Sequence, residues 1–213
     1  MTQDKGGIST VRAAQLLNMH YATVWFIMHK LRHAMANRLQ RVMLGGFVEI
    51  DDAFFGGKSK GKRGRAVGNK KQVCVMVERL NAKAGDAAMI VLADANGETY
   101  ANAVDSRLEP MTYVRTDGYS TNMLLHGRVA KLDMSKISKY EEHGPLENVD
   151  RIISLAKRYL LGTYHQYCSR VHLQRFLNEF CYRFNRRYQW YQLASRLVAA
   201  CALCAPIQHA AIS

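Results

Sequence analysis

The sequence predicts an α/β domain, a mixed sheet with flanking helices, preceded by a small helical segment. Two observations support this prediction. Apolar residues recur at helical spacing near both ends of the chain, and its middle contains short β-branched apolar runs bounded by turn residues. Hydrophobic residues make up 48% of the 213 residues, so the chain has enough apolar surface for a packed core.

Residues 8–40 are predicted to form two helices joined by a break at residues 18–20. In the first helix, Val11, Ala14 and Leu17 share one face. The second helix contains four basic side chains, His29, Lys30, Arg32 and His33. Two short helices with a basic second member are typical of a DNA-binding helix-turn-helix, and an ordinary helical hairpin is the alternative.

After residue 46 the apolar pattern changes to that of strands. Strands are predicted at 47–50, 72–80, 87–95 and within 112–120, with a helix at 96–110 and a short helix plus a fifth strand within 121–134. From about residue 147 onwards the chain reads as helical. This element order is that of a ribonuclease H-like fold, although other mixed sheets share it.

We divide the chain into three segments on this basis. Residues 1–43 are the helix-turn-helix-like DNA-binding segment, residues 44–190 the ribonuclease H-like catalytic domain, and residues 191–213 a C-terminal helical tail. No internal repeat is visible. No signal peptide or transmembrane-length apolar run is present, and five cysteines form no disulfide framework, so we expect a cytoplasmic protein without a membrane partner.

Two aspartates mark the predicted catalytic site. Asp51 is expected to close the first strand and Asp117 the fourth, and these strands are neighbours in a ribonuclease H-like sheet. Two carboxylates so close are costly unless a cation lies between them, and their hard oxygen atoms suit Mg²⁺. Asp52 follows Asp51 directly, but strand alternation directs it to the other face.

A third acid is expected on the long helix. Asp150 is the best candidate and Glu147, three residues earlier on nearly the same face, is the substitute. Lys157 lies two turns after Asp150, where it and the adjacent Arg158 could hold a phosphate backbone. The alternative is that both acids only favour the helix N-terminus.

The charge of the chain indicates a polyanionic partner. Thirty Lys and Arg against 17 Asp and Glu give a net charge of +13, which favours nucleic acid. A basic loop follows the first acid, and its side chains are expected to hold phosphates: Lys58, Lys60, Lys62, Arg63 and Arg65. The run FNRRYQWY adds Arg183, Arg186 and Arg187 between aromatics, or forms a solvated helix face over a core stripe.

Several motifs together resemble those of bacterial insertion-sequence transposases of the ISXO type. VEIDDAFFGGKSKGKRGR is similar to their first catalytic motif and TDGYSTN to their second. SLAKRYLLGTYHQYCSRVHLQRFLNEFCYRFNRR resembles their C-terminal signature, and ISTVRAAQLLNMHYATVWFIMHKLRHAM the preceding helix-turn-helix. The resemblance covers roughly residues 8–190.

The resemblance implies a DDE-type transposase with a ribonuclease H-like catalytic domain. Such enzymes use two Mg²⁺ or Mn²⁺ ions to cleave double-stranded DNA at the element ends and join the freed 3′-hydroxyl to target DNA. Asp51 matches the first family acid and Asp117 the second, Asp150 falls on the family Glu, and Lys157 on the family Lys. The resemblance also implies a homo-oligomer on DNA, at least a dimer, in the bacterial nucleoid.

Departures from the family pattern leave an alternative open. Glu147 stands where the family has Asn, and Asp150 is one methylene shorter than Glu. The family's N-terminal zinc ribbon is expected to be missing, which predicts a truncated, diverged copy. The alternative functions are a catalytically impaired remnant that only binds DNA and, more remotely, a basic RNA-binding protein of the translation machinery.

Overall fold

The computed structural model describes residues 1–2, 6–56, 70–81, 83–117, 124–135, 146–164 and 171–212. Five strands form one sheet: β1 (Phe47–Phe55), β2 (Lys71–Leu80), β3 (Lys83–Val91), β4 (Tyr113–Asp117) and β5 (Lys131–Ser135). Their order is β3-β2-β1-β4-β5. β1, β2 and β3 pair antiparallel, whereas β4 and β5 continue the sheet parallel to β1. The predicted ribonuclease H-like mixed sheet is therefore confirmed.

Six α-helices accompany the sheet in the part of the chain that the structure describes. They are α1 (Thr10–Leu17), α2 (Tyr21–Leu39), α3 (Gly97–Asp105), α4 (Glu147–Tyr164), α5 (Leu173–Phe184) and α6 (Leu193–Ala202). None of the helices in these described ranges is long and apolar enough to cross a membrane.

The helices cover both faces of the sheet. One face packs against α4 and α5 over a large apolar core, to which β1 contributes Ala53 and Phe55. The other face packs against α3, and β1 contributes Val48 and Ile50 there. This split follows from strand alternation, because residues two apart along a strand share a face.

The two N-terminal helices form as the sequence predicts, but two of the basic side chains of the second helix are buried. α1 begins after the Ser9 cap and ends at Asn18, which adopts a left-handed conformation (φ 48°). In α2, His29 and Arg32 are buried, because this helix packs against α5 and α6. Of the four basic side chains noted in the sequence, these two are therefore inside the fold, and DNA binding by this segment stays a prediction.

The C-terminal helical region is interrupted. α5 ends at Phe184, and a 3-10 segment at Arg187–Gln192 separates it from α6. Gln189 has non-helical angles (φ −123°, ψ 34°) within that segment. The break turns the chain so that several aromatic side chains of this segment are exposed.

Amide side chains of the α5 region cover the outer edge of β3. Asn185 accepts a hydrogen bond from the main-chain N of Ala87 (2.9 Å) and donates to its carbonyl oxygen (3.1 Å). Gln174 likewise accepts from Val91 N (2.7 Å) and donates to Met89 O (2.8 Å). These side chains pair main-chain groups that an edge strand otherwise exposes.

Candidate active site

Asp51 lies inside β1 rather than at its end. The strand continues to Phe55 because Ala53 and Phe55 are apolar, enter the core and extend the pairing with β2 as far as Phe55 and Lys71. The prediction that Asp51 closes the first strand is therefore wrong. The parallel pairing of β1 with β4 does end next to Asp51, because the last pair joins Ile50 to Thr116.

Asp51 and Asp117 are the next residues on the two neighbouring strands. Ile50 and Thr116 are paired, so the residues that follow them share the opposite face of the sheet. That is the face against which α4 packs. The structure thus brings the two predicted acids together beneath α4.

Glu49 fixes the start of α4 over this face. Its carboxylate is fully buried and accepts hydrogen bonds from the main-chain N of Asn148 (2.8 Å) and Val149 (3.1 Å) through Oε2. Its Oε1 accepts from the side-chain amide of Asn148 (2.9 Å). A carboxylate that binds the first N–H groups of a helix acts as a cap, here supplied by a distant strand.

The charge of Asp150 acts on the Asp51 carboxyl. The pKa of Asp51 is raised to about 7, mainly by burial and also by the charges of Asp117, Asp52 and Asp150, against the opposing effect of a hydrogen bond from the Asp52 main-chain N. The pKa of Asp150 is itself raised, first by desolvation and then by the charge of Glu49. The charges of Asp117 and Asp150 therefore both act on Asp51.

Glu147 is oriented differently. Its exposed carboxylate pairs with Arg151 one turn later on α4. Asp150 is among the main charges that raise the pKa of Asp51, and its role as the third acid stays a prediction.

Asp52 projects away from α4. It occupies the alternate position on β1, and its Oδ2 accepts a hydrogen bond from the side-chain amide of Gln72 on β2 (2.9 Å). Its main-chain N donates to Asp51 Oδ1 (2.8 Å), which helps to fix the Asp51 side chain. This agrees with the expectation that strand alternation separates the two side chains.

The predicted phosphate-binding residues fall in different places. Lys157 is exposed on α4, and its Nζ lies 5.7 Å from the ring centroid of Phe55, four residues beyond Asp51 on β1. Arg158 is exposed on an adjacent side of the same helix. The basic loop from Lys58 to Arg65 lies outside the described residues.

The chemistry of the donor set fits a divalent metal ion. Asp51, Asp117 and Asp150 offer carboxylate oxygens, which suit Mg²⁺ and Mn²⁺. The raised pKa of Asp51 reflects burial and like charges that a cation would relieve. Within the residues that the structure describes, no three His, Cys, Asp or Glu side chains are grouped as a complete metal site.

Part of the C-terminal signature is structural. Glu179 on α5 forms an ion pair with Arg32 on α2 (Nε to Oε2, 2.8 Å), and both side chains are buried. Tyr164 accepts a hydrogen bond from Arg32 Nη2 (3.1 Å). The ring of Phe176 lies under the guanidinium at 4.3 Å. These contacts fasten α2 to α4 and α5.

Sequence reasoning missed the roles of Glu49 and of the Arg32–Glu179 pair. Glu49 belongs to the motif VEIDD, and its alternation with Asp51 places both on one face, which is the signal that could have found it. No local pattern indicates the pairing of Arg32 with a residue 147 positions away.

The comparisons with known proteins concern both structure and sequence. Two solved structures similar to the chain are the Mos1 transposase paired-end complex with left transposon end (12% identity, TM-score 0.42) and the Mos1 mariner paired-end complex with Mn (11% identity, TM-score 0.39). Each match covers 93% of this chain. The first covers 74% of the Mos1 chain in that structure, and the second covers 75%. No curated protein sequence matches the chain significantly.

A match to a protein-family model identifies the family of the chain. The model of the ISXO2-like transposase domain matches residues 43–185, about two thirds of the chain, from the start of the sheet region to the end of α5. The matched range contains Asp51, Asp117 and Asp150, and the resemblance drawn from the motifs is confirmed. The chain belongs to the ISXO2-like transposase family.

Proposed function

We propose that this transposase-family chain is a DDE-type enzyme that hydrolyses phosphodiester bonds at insertion-sequence ends and transfers the freed strands to target DNA. One observation supports the proposal above all. Asp51 and Asp117 are neighbours on one face of the sheet, and the charge of Asp150 on α4 acts on Asp51. The proposal assigns metal binding to these three carboxylates, with Glu147 as the substitute for Asp150.

The chemistry that two bound Mg²⁺ or Mn²⁺ ions supply is activation of the attacking oxygen and stabilisation of the leaving oxygen. The chain's own contribution is positioning. Asp51 is held by the Asp52 main-chain N, and Asp150 is held by the Glu49 cap at the start of α4. Accurate positioning matters, because about 1 Å of misplacement can cost on the order of 10²-fold in rate.

The proposed substrate is double-stranded DNA, engaged by at least two copies of the chain. The net charge of +13 favours a polyanion. Lys157 lies seven residues after Asp150 on α4, which places it on nearly the same helical face. It and Arg158 would hold phosphates beside the carboxylates, and the loop from Lys58 to Arg65 would add further contacts.

Metal-dependent nicking tests the proposal. A labelled duplex carrying the element's own ends is incubated with the protein in Mg²⁺, Mn²⁺ or EDTA. We expect nicking only with metal, and we expect Asp51→Asn to lower its rate by on the order of 10²-fold, because a carboxylate ligand is lost and the metal ions are held less accurately. Asp52→Asn is the matched control, because it removes the same charge from the adjacent residue, whose side chain lies on the other face of the sheet.

Two outcomes would contradict the proposal. One is nicking that persists in EDTA. The other is an equal loss in both variants, because the effect would then come from charge or stability rather than from the position of Asp51.

The third acid can be identified separately. We expect Asp150→Asn to lower nicking by about 10²-fold and Glu147→Gln to leave it nearly unchanged, because Glu147 is paired with Arg151. The same assay measures both variants, and urea unfolding checks that they remain folded. The reverse ranking would assign the role to Glu147.

The impaired-remnant alternative makes its own prediction. Asp150 stands where the family pattern has Glu, and the shorter side chain could leave its carboxylate about 1 Å short. If this copy is impaired for that reason, Asp150→Glu should raise nicking by on the order of 10²-fold. A rate lowered by Asp150→Glu would show that α4 is already placed for Asp.

A further inference from the structure

A wide groove separates the start of the chain from the C-terminal helices. It has a volume of about 1450 Å³ and is bounded by α4, the end of α5 and the 3-10 segment that follows, with the residues before α1 along one side. The buried rings of Tyr159 and Phe180 contribute to its lining. The groove is distinct from the carboxylate site, which lies at the first turn of α4.

Five arginines line this groove: Arg12, Arg158, Arg183, Arg186 and Arg187. Two of them are used by the fold, since Arg186 donates to Tyr182 O (3.0 Å) and Arg187 to Gly85 O (3.1 Å) and Phe184 O (3.0 Å). None of the described residues that line the groove is acidic. The guanidinium of Arg187 stacks over the ring of Tyr188 at 4.5 Å, and that of Arg183 lies over Tyr159 at 5.8 Å. The groove therefore offers positive charge beside aromatic faces, which is complementary to a polyanion with flat rings.

Two large aromatic side chains in the groove are exposed. Tyr188 is 75% and Trp190 70% accessible to solvent. Trp190 contacts Tyr191 only edge to face, at a centroid distance of 6.5 Å. Indole and phenol rings exposed next to arginines are the parts of a base-stacking surface.

We propose that this groove binds a single DNA strand whose unpaired bases stack on Trp190 and Tyr188 while the exposed Arg12 and Arg158 hold its phosphates. A duplex cannot make the same contact, because each base face is covered by the neighbouring base pair. The inference rests on the proposed function, since cleavage at an element end creates the free strand end that can unpair and enter the groove.

The position of the groove along α4 suits this role. Arg158 lies eight residues after Asp150, which is about 12 Å along the helix axis and about 80° around it. Lys157 lies between the two, close to the face of Asp150. A strand released at the carboxylates could therefore pass Lys157 and enter the groove at Arg158.

Fluorescence of Trp190 tests the proposal. The chain has two tryptophans, so Trp25→Phe leaves Trp190 as the only one. Oligothymidine is titrated in EDTA, which keeps the carboxylate site out of the experiment. We expect the strand to quench Trp190, an abasic strand of equal length to bind without quenching, and a duplex not to quench. If Trp25→Phe does not fold, the difference between wild type and Trp190→Phe gives the same signal.

Variants locate the binding site. We expect Trp190→Ala to weaken oligothymidine binding about 10-fold, and Arg158→Ala to weaken it and to reduce its salt dependence. Tyr191→Ala and Arg128→Ala are the matched controls, because Tyr191 is an exposed aromatic beside the groove and Arg128 a surface arginine of another face, paired with Asp105. We expect both controls to bind as wild type does.

Three outcomes would overturn the inference. The first is equal binding of oligothymidine and abasic strands with no change in Trp190 fluorescence. The second is quenching by duplex as strong as by single strand. The third is self-association that Trp190→Ala abolishes, which would identify a second copy as the occupant. Absence of duplex nicking with quenching intact would refute the proposed function and leave the groove assignment standing.

Discussion

Replacement of Arg32 by methionine is expected to lower the free energy of unfolding by about 3–5 kcal/mol, because it leaves the carboxylate of Glu179 buried without its cationic partner. Arg32 and Glu179 are 1% and 0% exposed. Among the described residues Glu179 Oε1 has no hydrogen-bond partner, and besides Arg32 only the hydroxyl of Tyr164 donates to Oε2 (3.4 Å). Urea denaturation of wild type and variant measures the difference.

A double variant separates lost charge pairing from lost packing. Arg32→Met combined with Glu179→Leu replaces the buried pair by apolar side chains, and such replacements are often neutral or stabilising. We expect it to recover most of the lost stability. Arg128→Met breaks the half-exposed pair with Asp105 and serves as control, with an expected loss of at most about 1 kcal/mol. A loss for Arg32→Met no larger than this would contradict the prediction.

Replacement of Glu49 by alanine is expected to affect stability and catalysis together. It leaves the main-chain N–H groups of Asn148 and Val149 buried without an acceptor, which costs about 1–3 kcal/mol for each group. It also releases the first turn of α4, where Asp150 lies. We therefore expect the free energy of unfolding to fall by about 3 kcal/mol and nicking by on the order of 10²-fold.

The two effects of Glu49→Ala can be measured independently. Urea denaturation gives the stability, and the nicking rate is measured at a temperature where the variant is still folded. Glu98→Ala is the control, because Glu98 lies in the first turn of α3 but is exposed. Normal nicking by a folded Glu49→Ala protein would show that the cap does not position Asp150.

Local patterns predicted most of the sheet. The apolar runs of β2 and β3 are compatible with few structures other than strands. The order of strands and helices was then sufficient to indicate the ribonuclease H-like sheet that the structure confirms. The end of β1 was placed too early, because Asp51 and Asp52 interrupt the apolar run before Ala53 and Phe55 resume it. Tertiary packing, rather than propensity, extends that strand.

Charged side chains were harder to predict. The sequence analysis noted His29 and Arg32 only as basic side chains of a helix, and charged residues are seldom fully buried. Their burial depends on α5, whose residues lie more than 140 positions away along the chain. The burial of Glu49 also depends on distant residues, because its partners lie 99 and 100 positions away. Asp51, Asp117 and Asp150 were easier to propose as site residues. The resemblance of their motifs to those of a transposase family indicates a catalytic role, which composition alone does not.

The amide side chains along β3 have a consequence for assembly. Gln174 and Asn185 occupy main-chain groups of β3 that a second copy would need in order to add its own strand at this edge. The sheet is therefore closed to growth on the β3 side. If copies assemble on DNA as proposed, they cannot do so by adding a strand at the β3 edge.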